Sequence, residues 1–368
     1  MKSEKILHFI YGQVGYENFL VPLLKHNKDT FFSQEVVFCE DEFPITDGLI
    51  KRKTLHFGFN FKLSNLRVNL VKLFKLLSKQ SPSIVVAHMS LCATYPLICS
   101  KILKVPHRVY FCHGAPYLGY NGILRLVLII VEKINISMST LTICVSPSIE
   151  KELKKISKTP HIHSILPGSC AGLASEKYLS RSGVLEKINT HKNELKLLYV
   201  GRPYKRKGIY DLLDAVSRTD ILEKGILIDI VGFESNELNI QVERLPPNVK
   251  FHGFQTDVGT FYHKCDIIIL PSWHEGFGYA LLEGAAYGCA MVASNIPGPD
   301  AIVVDNFNGR LITPRCPADI ERCILDYYHN RIILNEHMKN AYKRSFDFSN
   351  SVILQQVTGF LVNSIYRK

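Results

Sequence analysis

The sequence predicts an α/β chain of two Rossmann-like, doubly wound domains facing across a cleft. Three observations predict it. The chain has 368 residues, and at roughly 100–200 residues per domain two domains are the natural expectation. Short, continuous apolar runs alternate with helix-forming stretches, the mark of parallel strands covered on both faces. The alternation breaks once, over 166–196, where Leu-Pro-Gly-Ser-Cys-Ala-Gly-Leu and Ser180-Arg-Ser-Gly183 read as an irregular connector. Ligands of paired domains of this kind usually bind in the cleft.

In the first half, Ile6-Leu-His-Phe-Ile10 reads as a buried strand and Tyr16 to Leu24 as a short helix. Glu35-Val-Val-Phe-Cys39 is a second strand. Leu66 to Leu77 is amphipathic: Leu66, Leu70, Leu73, Phe74 and Leu77 form one stripe, with Lys72, Lys75 and Lys79 off it. Strands follow at Ser83–His88, at Arg108–Cys112 leading to His113-Gly114, and at Leu141–Ser146, with a long helix from about Ile123 to Ser137. The second half repeats the pattern, with strands at Leu195–Val200, Ile226–Val231, Val249–His252, Ile267–Leu270 and Ala290–Ala293.

With 46% hydrophobic and 21% charged residues, the composition is that of an ordinary globular protein. The opening segment reads as a strand, too short in its apolar part for a signal peptide. The run Ile123–Val131 contains Arg125 and falls short of the ~20 apolar residues of a spanning helix. None of the ten cysteines forms a Cys-x-x-Cys pair, so reduced thiols in a cytoplasm are expected. Residues 1–180 hold 22 Lys+Arg against 12 Asp+Glu, while the rest hold 22 against 21. No acid occurs from Gly48 to Val131, where twelve basic residues do. That asymmetry points to an acidic partner, nucleic acid or an anionic membrane surface. No helix-turn-helix, zinc or RNP motif supports nucleic acid. No two of the fourteen aspartates are two positions apart, so no Asp-x-Asp metal motif is present and no metal is expected.

Three segments carry chemistry. Val200-Gly-Arg-Pro-Tyr-Lys-Arg-Lys-Gly208 is a strand end, a glycine turn and a helix start flanked by Arg202 and Lys207. A guanidinium fork, an ammonium and helix N–H groups suit a diphosphate; the bland reading is a solvated basic loop. In Glu275-Gly-Phe-Gly-Tyr-Ala-Leu-Leu-Glu283, two carboxylates flank a glycine turn at a helix start. Gly276 and Gly278 let backbone approach a ligand, Glu275 can accept from sugar hydroxyls and Glu283 from a ribose diol. The bland reading makes Glu275 a cap and Glu283 a surface acid. His113-Gly114 ends an apolar strand. A neutral His there can hold a hydroxyl through one nitrogen and keep its tautomer through the other, or simply be satisfied by backbone. Gly12 and Gly15 follow the first strand, where a phosphate or acceptor loop would lie.

Together these segments closely resemble the retaining glycosyltransferase family 4, of GT-B fold, of the kind that builds bacterial surface polysaccharide. The resemblance rests on Gly-Arg-x4-Lys-Gly (201–208), Pro271-Ser272, Glu275-Gly-Phe-Gly278 with Glu283, Tyr287-Gly-Cys-Ala-Met-Val-Ala-Ser294 and Asn308-Gly309. In the first half it rests on His113-Gly114 and Val145-Ser146. It implies an acceptor-binding domain over 1–180, a nucleotide-sugar domain over 181–350, and a last helix, within 351–368, crossing back onto the first. Arg202 and Lys207 would grip the donor diphosphate. Glu275 would hold sugar hydroxyls, with Gly276, Phe277 and Gly278 as the sugar–phosphate loop. Glu283 would hold the ribose, Gly253 and Phe254 would meet the base, and His113 would approach the sugar from the other domain.

The implied function is metal-independent, retaining sugar transfer, with no cofactor beyond the nucleotide-sugar substrate. The acceptor would be a polyprenyl-diphosphate-linked glycan for O-antigen or capsule, at the inner face of the cytoplasmic membrane. The alternative is a soluble enzyme of the same fold, a nucleotide-sugar epimerase or disaccharide-forming synthase. Two departures are visible: Tyr11-Gly-Gln-Val-Gly15 in place of the family's Gly-Gly-x-Glu, and Gly298-Pro-Asp-Ala301 in place of its Pro-Glu loop, which leaves Asp300 without an assigned role.

Overall fold

A computed structural model describes residues 4–12, 15–27, 32–38, 66–189, 194–238 and 246–366. The chain divides into two compact units, Met1–Gly172 with Asn350–Lys368, and Leu173–Ser349. The expected boundary near 180 thus moves to 172–173. The reason is local: Tyr178 donates its hydroxyl to Ser345 O at 2.8 Å and Leu179 N–H donates to Ala286 O at 3.2 Å, tying the connector to helices of the second unit.

The first unit is a parallel sheet in the order β2-β1-β3-β4-β5-β6. Its strands are β1 Glu4–Ile10, β2 Phe32–Phe38, β3 Ile84–His88, β4 His107–Cys112, β5 Leu141–Cys144 and β6 Ile162–Ser164. The order reverses between β1 and β3. The last helix, Asn350–Tyr366, belongs to this unit: Thr358 donates its hydroxyl to Asn27 Oδ1 at 2.8 Å, and Gln356 Oε1 accepts from Leu166 N–H at 2.9 Å. The helix expected at 66–77 runs Leu66–Gln80, and that at 123–137 runs Gly122–Met138. Cys39 and residues 48–65 of the acid-free block lie outside the described residues.

The second unit is a parallel sheet in the order β12-β11-β10-β7-β8-β9. Its strands are β7 Lys196–Val200, β8 Leu227–Val231, β9 Val249–Phe251, β10 Ile267–Leu270, β11 Ala290–Ser294 and β12 Gly309–Ile312. Here the order reverses between β7 and β10, and ligands of open parallel sheets gather at the carboxyl ends of strands at such a reversal. β10 and β11 are buried along their whole length, which explains their unbroken apolar runs. The described cysteines are all free thiols.

Candidate functional site

In the second unit, the loops after β7 and β10 lie side by side. β7 ends at Gly201, whose backbone N–H donates to Val231 O at 3.0 Å. The chain then makes a tight turn over Lys205–Lys207 and enters the helix Ile209–Val216 through Gly208, at φ +73°. A Cβ on Gly208 would run into the backbone carbonyl of Pro271, just past β10, so glycine is required on both counts. The buried Tyr199 hydroxyl bonds the carbonyls of Arg202 and Lys207, at 3.3 and 3.4 Å. One side chain of β7 therefore sets both ends of the loop. Burial, with the charge of Glu275 nearby, pushes this phenol far above its usual range, so it stays a neutral donor.

Trp273 pins the second loop to the first. Its backbone N–H donates to Arg206 O at 2.8 Å, its indole N–H donates to Asp211 Oδ2 at 2.6 Å, and the Arg315 guanidinium lies 4.3 Å over its ring. Glu275 is 8% exposed. Its Oε1 meets Lys207 Nζ at 2.5 Å and accepts from the Ser272 hydroxyl at 2.8 Å. Its Oε2 accepts nothing among the described residues, so one oxygen is committed and the other is open. Gly276, Phe277 and Gly278 follow, and among the described residues their backbone N–H groups reach no acceptor. Gly278, at φ +102°, opens the helix Tyr279–Ala286, so three unpartnered amides run directly into a helix start. The Gly298 turn packs on this loop, where a Cβ would approach Gly276 O to 2.7 Å. Asp300 shapes that turn, its Oδ1 accepting from Gly298 N–H at 3.0 Å.

Arg202 is exposed, and its guanidinium has no partner among the described residues. Glu283 sits on the helix with both oxygens engaged: Oε1 with Lys177 Nζ at 2.8 Å, Oε2 with the Tyr262 hydroxyl at 3.1 Å. A carboxylate has about four lone-pair sites, so capacity for a diol remains. Gly253 takes φ +63°, and its carbonyl accepts from Gly232 N–H at 2.8 Å. Beside it Phe254 is 80% exposed, a bare ring of the kind a base stacks on. The sequence reading missed Lys177 and Tyr199, and quoted Ser272 only within Pro271-Ser272, without a role. Ser272 alone had a local signal, three residues before Glu275.

Gly12, Gly15 and His113 belong to the first unit. Gly12 takes φ +78° with open space where a Cβ would be, and Gly15 lies against the Met89 side chain, just past β3. His113 follows β4, its ring stacked between Phe19 and Phe111, each 4.9 Å away. Its Nδ1 is buried without a partner, and its Nε2 is 3.0 Å from His88 Nδ1. Burial lowers its pKa to about 3, so the ring is neutral at physiological pH. The contact with His88 was not anticipated from sequence.

Residues 184–344 match the family model described as glycosyl transferases group 1. Over 255 residues, 66% of this chain and 67% of the other, the sequence is 26% identical to the capsular polysaccharide biosynthesis glycosyltransferase CapM of Staphylococcus aureus. Over 296 residues, 75% of each chain, it is 27% identical to the UDP-Gal:alpha-D-GlcNAc-diphosphoundecaprenol alpha-1,3-galactosyltransferase of Escherichia coli. The fold is similar to that of Anabaena HepE, solved with UDP and glucose, at a TM-score of 0.77 and 20% identity over 98% of this chain and 100% of that one. Residues 184–344 thus carry a glycosyl transferases group 1 domain, and the fold is that of the GT-B glycosyltransferases.

Proposed function

We propose that this protein is a retaining, metal-independent glycosyltransferase of family 4, moving a sugar from a nucleoside-diphosphate sugar to a polyprenyl-diphosphate-linked glycan in surface polysaccharide synthesis. One observation carries the donor half. Glu275 has one oxygen tied to Lys207 and Ser272 and the other open, beside the three acceptor-free amides of Gly276, Phe277 and Gly278. The open oxygen suits a sugar hydroxyl. The amides suit phosphate oxygens, and Lys207 supplies two further N–H groups after Glu275 has taken one. Arg202 adds an unpaired bidentate fork. Glu283 suits the ribose, and the exposed Phe254 beside Gly253 the base.

Chemistry follows from charge. As the bond from the anomeric carbon to the diphosphate lengthens, positive charge grows on the sugar and negative charge on the leaving oxygen. Lys207, Arg202 and the amide cradle stabilise the second, a preorganised effect worth about 3 kcal/mol or more per donor. The acceptor hydroxyl enters on the face being vacated and gives its proton to the departing phosphate oxygen. His113, neutral with an unpartnered Nδ1, accepts a hydrogen bond from a sugar hydroxyl, and Gly12, with open space where a Cβ would be, leaves room for the acceptor while Gly15 packs on Met89.

The lipid-linked acceptor is supported by the surface of the first unit. Among the described residues no helix is long and apolar enough to cross a membrane. The helix Gly122–Met138 nevertheless exposes Ile123 (81%), Leu124, Leu126, Val127 and Ile130 along its first turns, around Arg125. Aliphatic side chains beside cations suit the interface of an anionic bilayer. The relative from E. coli is named for a diphosphoundecaprenol-linked acceptor.

The test is a thermal-shift screen of nucleotide-sugars, in which a donor at 100 times its Kd adds about 2.7 kcal/mol of stability, followed by turnover of the Arg202→Ala/Lys207→Ala variant. Turnover should fall by orders of magnitude with the fold intact. Near-normal rates would refute the donor site. A small soluble acceptor with no vesicle sedimentation would favour the soluble alternative.

A further inference from the structure

A row of polar side chains crosses the first sheet, one from each of four neighbouring strands. Gln34 on β2 presents Oε1 to His8 Nε2 on β1 at 3.2 Å. His8 Nδ1 is 3.3 Å from His88 Nε2 at the end of β3. His88 Nδ1 is 3.0 Å from His113 Nε2, just past β4. His8 and His88 are fully buried, and the chain stops at His113 Nδ1, buried and unpartnered. The rings meet edge to edge in a line, and among the described residues no His, Cys, Asp and Glu cluster is arranged to hold a metal ion.

A neutral imidazole has one N–H and one lone pair. In a line of them, the direction of the first bond fixes every other. An amide oxygen only accepts, so His8 Nε2 donates to Gln34. His8 Nδ1 then accepts from His88 Nε2–H, and His88 Nδ1 from His113 Nε2–H. His113 Nδ1 is left as a bare lone pair. A donor at position 34 would reverse the line and leave His113 Nδ1 carrying the proton. Leaving a buried acceptor unsatisfied is unfavourable, and a ligand hydroxyl would relieve it.

We propose that Gln34, through His8 and His88, is a positioning residue that holds His113 in the Nε2–H tautomer, so that its Nδ1 offers a lone pair to a hydroxyl of the bound sugar. The hydroxyl then gives its hydrogen to the ring and keeps its oxygen lone pairs for other partners. The ligand half of this inference rests on the function proposed above; the relay itself rests on the geometry of the first unit.

The experiment is long-range proton–nitrogen NMR on the full chain labelled with 15N-histidine, with ring signals assigned by single His→Gln variants. In the unmodified protein at neutral pH, His8, His88 and His113 should each show a protonated Nε2 and an unprotonated Nδ1. His113 with its proton on Nδ1, or cationic, overturns the proposal. Gln34→Lys puts a donor-only group at the head of the row and should move the His113 proton to Nδ1. Gln34→Glu, acceptor-only, should keep the native tautomer. Both changes lie on the edge strand β2, and a thermal melt of each variant verifies the fold. A His113 tautomer indifferent to both changes sinks the relay. If the tautomers behave as stated but His113→Phe leaves sugar transfer unaltered, the relay stands and the sugar-contacting role of His113 falls.

Discussion

Glu275 does two things with two oxygens, and the difference is testable. Oε1 neutralises Lys207 in a pair whose side chains are only 24% and 10% exposed. Removing one member strands the other, and truncating a buried pair costs more than the pair's net worth. Lys207→Ala and Glu275→Gln should therefore each destabilise the second unit by about 1–3 kcal/mol. The double variant should cost less than their sum, by about 0.5–3 kcal/mol in a denaturant cycle. A strictly additive cycle would mean that the contact carries no energy. Glycines divide in the same way. Gly208→Ala meets both a positive φ and the Pro271 carbonyl, whereas Gly12→Ala meets a positive φ of +78° in open space. The first should lower stability by more than the second, whose cost stays near 1–2 kcal/mol. Equal shifts in the denaturation midpoint would contradict the packing of Gly208 on Pro271. At this scale the loops that carry Arg202, Lys207 and Glu275 could be read from the sequence because turns of this kind demand glycine. Gln34, His8 and His88 could not: their links join positions 26, 80 and 25 residues apart, and only the strand order makes them neighbours.

Elements were readable wherever a strand is buried on both faces. β10 and β11 show continuous apolar runs because helices cover both sides of the sheet. β6 and β12 were missed for the opposite reason. Ile162-His-Ser164 is too short to show a period, and Gly309-Arg-Leu-Ile312 opens on a glycine pressed against the backbone of Met291. The helix Gly122–Met138 was anticipated, but not which side it leaves bare. Its buried positions are Leu128, Glu132, Asn135 and Ile136, mostly in the second half, while Ile123, Leu124, Leu126, Val127 and Ile130 are exposed. The change Ile123→Ser/Leu126→Ser/Ile130→Ser should thus cost little stability, since those residues stay 81%, 60% and 57% exposed in the fold. It should reduce sedimentation with anionic vesicles severalfold, each lost aliphatic group withdrawing up to about 1.5–3 kcal/mol of burial. Vesicle binding unchanged at equal salt would place the contact with lipid elsewhere, or nowhere.

At the scale of the whole molecule, the histidines and the carboxyl that shift most on folding sit in the first unit and oppose each other. Burial lowers His8 from 6.5 to about 4 and His113 from 6.5 to about 3. Such groups contribute their full stability above pH 6.5 and lose it as acid protonates the unfolded chain first. Glu132 runs the other way. Buried against Ser90 and Tyr110, its carboxyl rises from 4.5 to about 7, desolvation outweighing both hydrogen bonds. The folded state takes up that proton first, so its contribution is complete below pH 4.5 and is lost as pH rises through 7. At about 1.4 kcal/mol per tenfold change in proton affinity, His8 and Glu132 each amount to roughly 3 kcal/mol. With two or three histidines against one acid, the histidines win, and the unit should weaken steadily below pH 6.5. Glu132→Gln isolates the opposing part without touching the histidines. An amide of the same shape does not titrate, so the stability of the variant relative to the unmodified protein should climb between pH 4.5 and 7, by up to roughly 3 kcal/mol, and level off above. Denaturant titrations at half-unit pH steps read this directly. A difference constant across that range would mean that Glu132 is ionised equally in the folded and unfolded chain, and that the Ser90 and Tyr110 hydroxyls hold a carboxylate as well as water does.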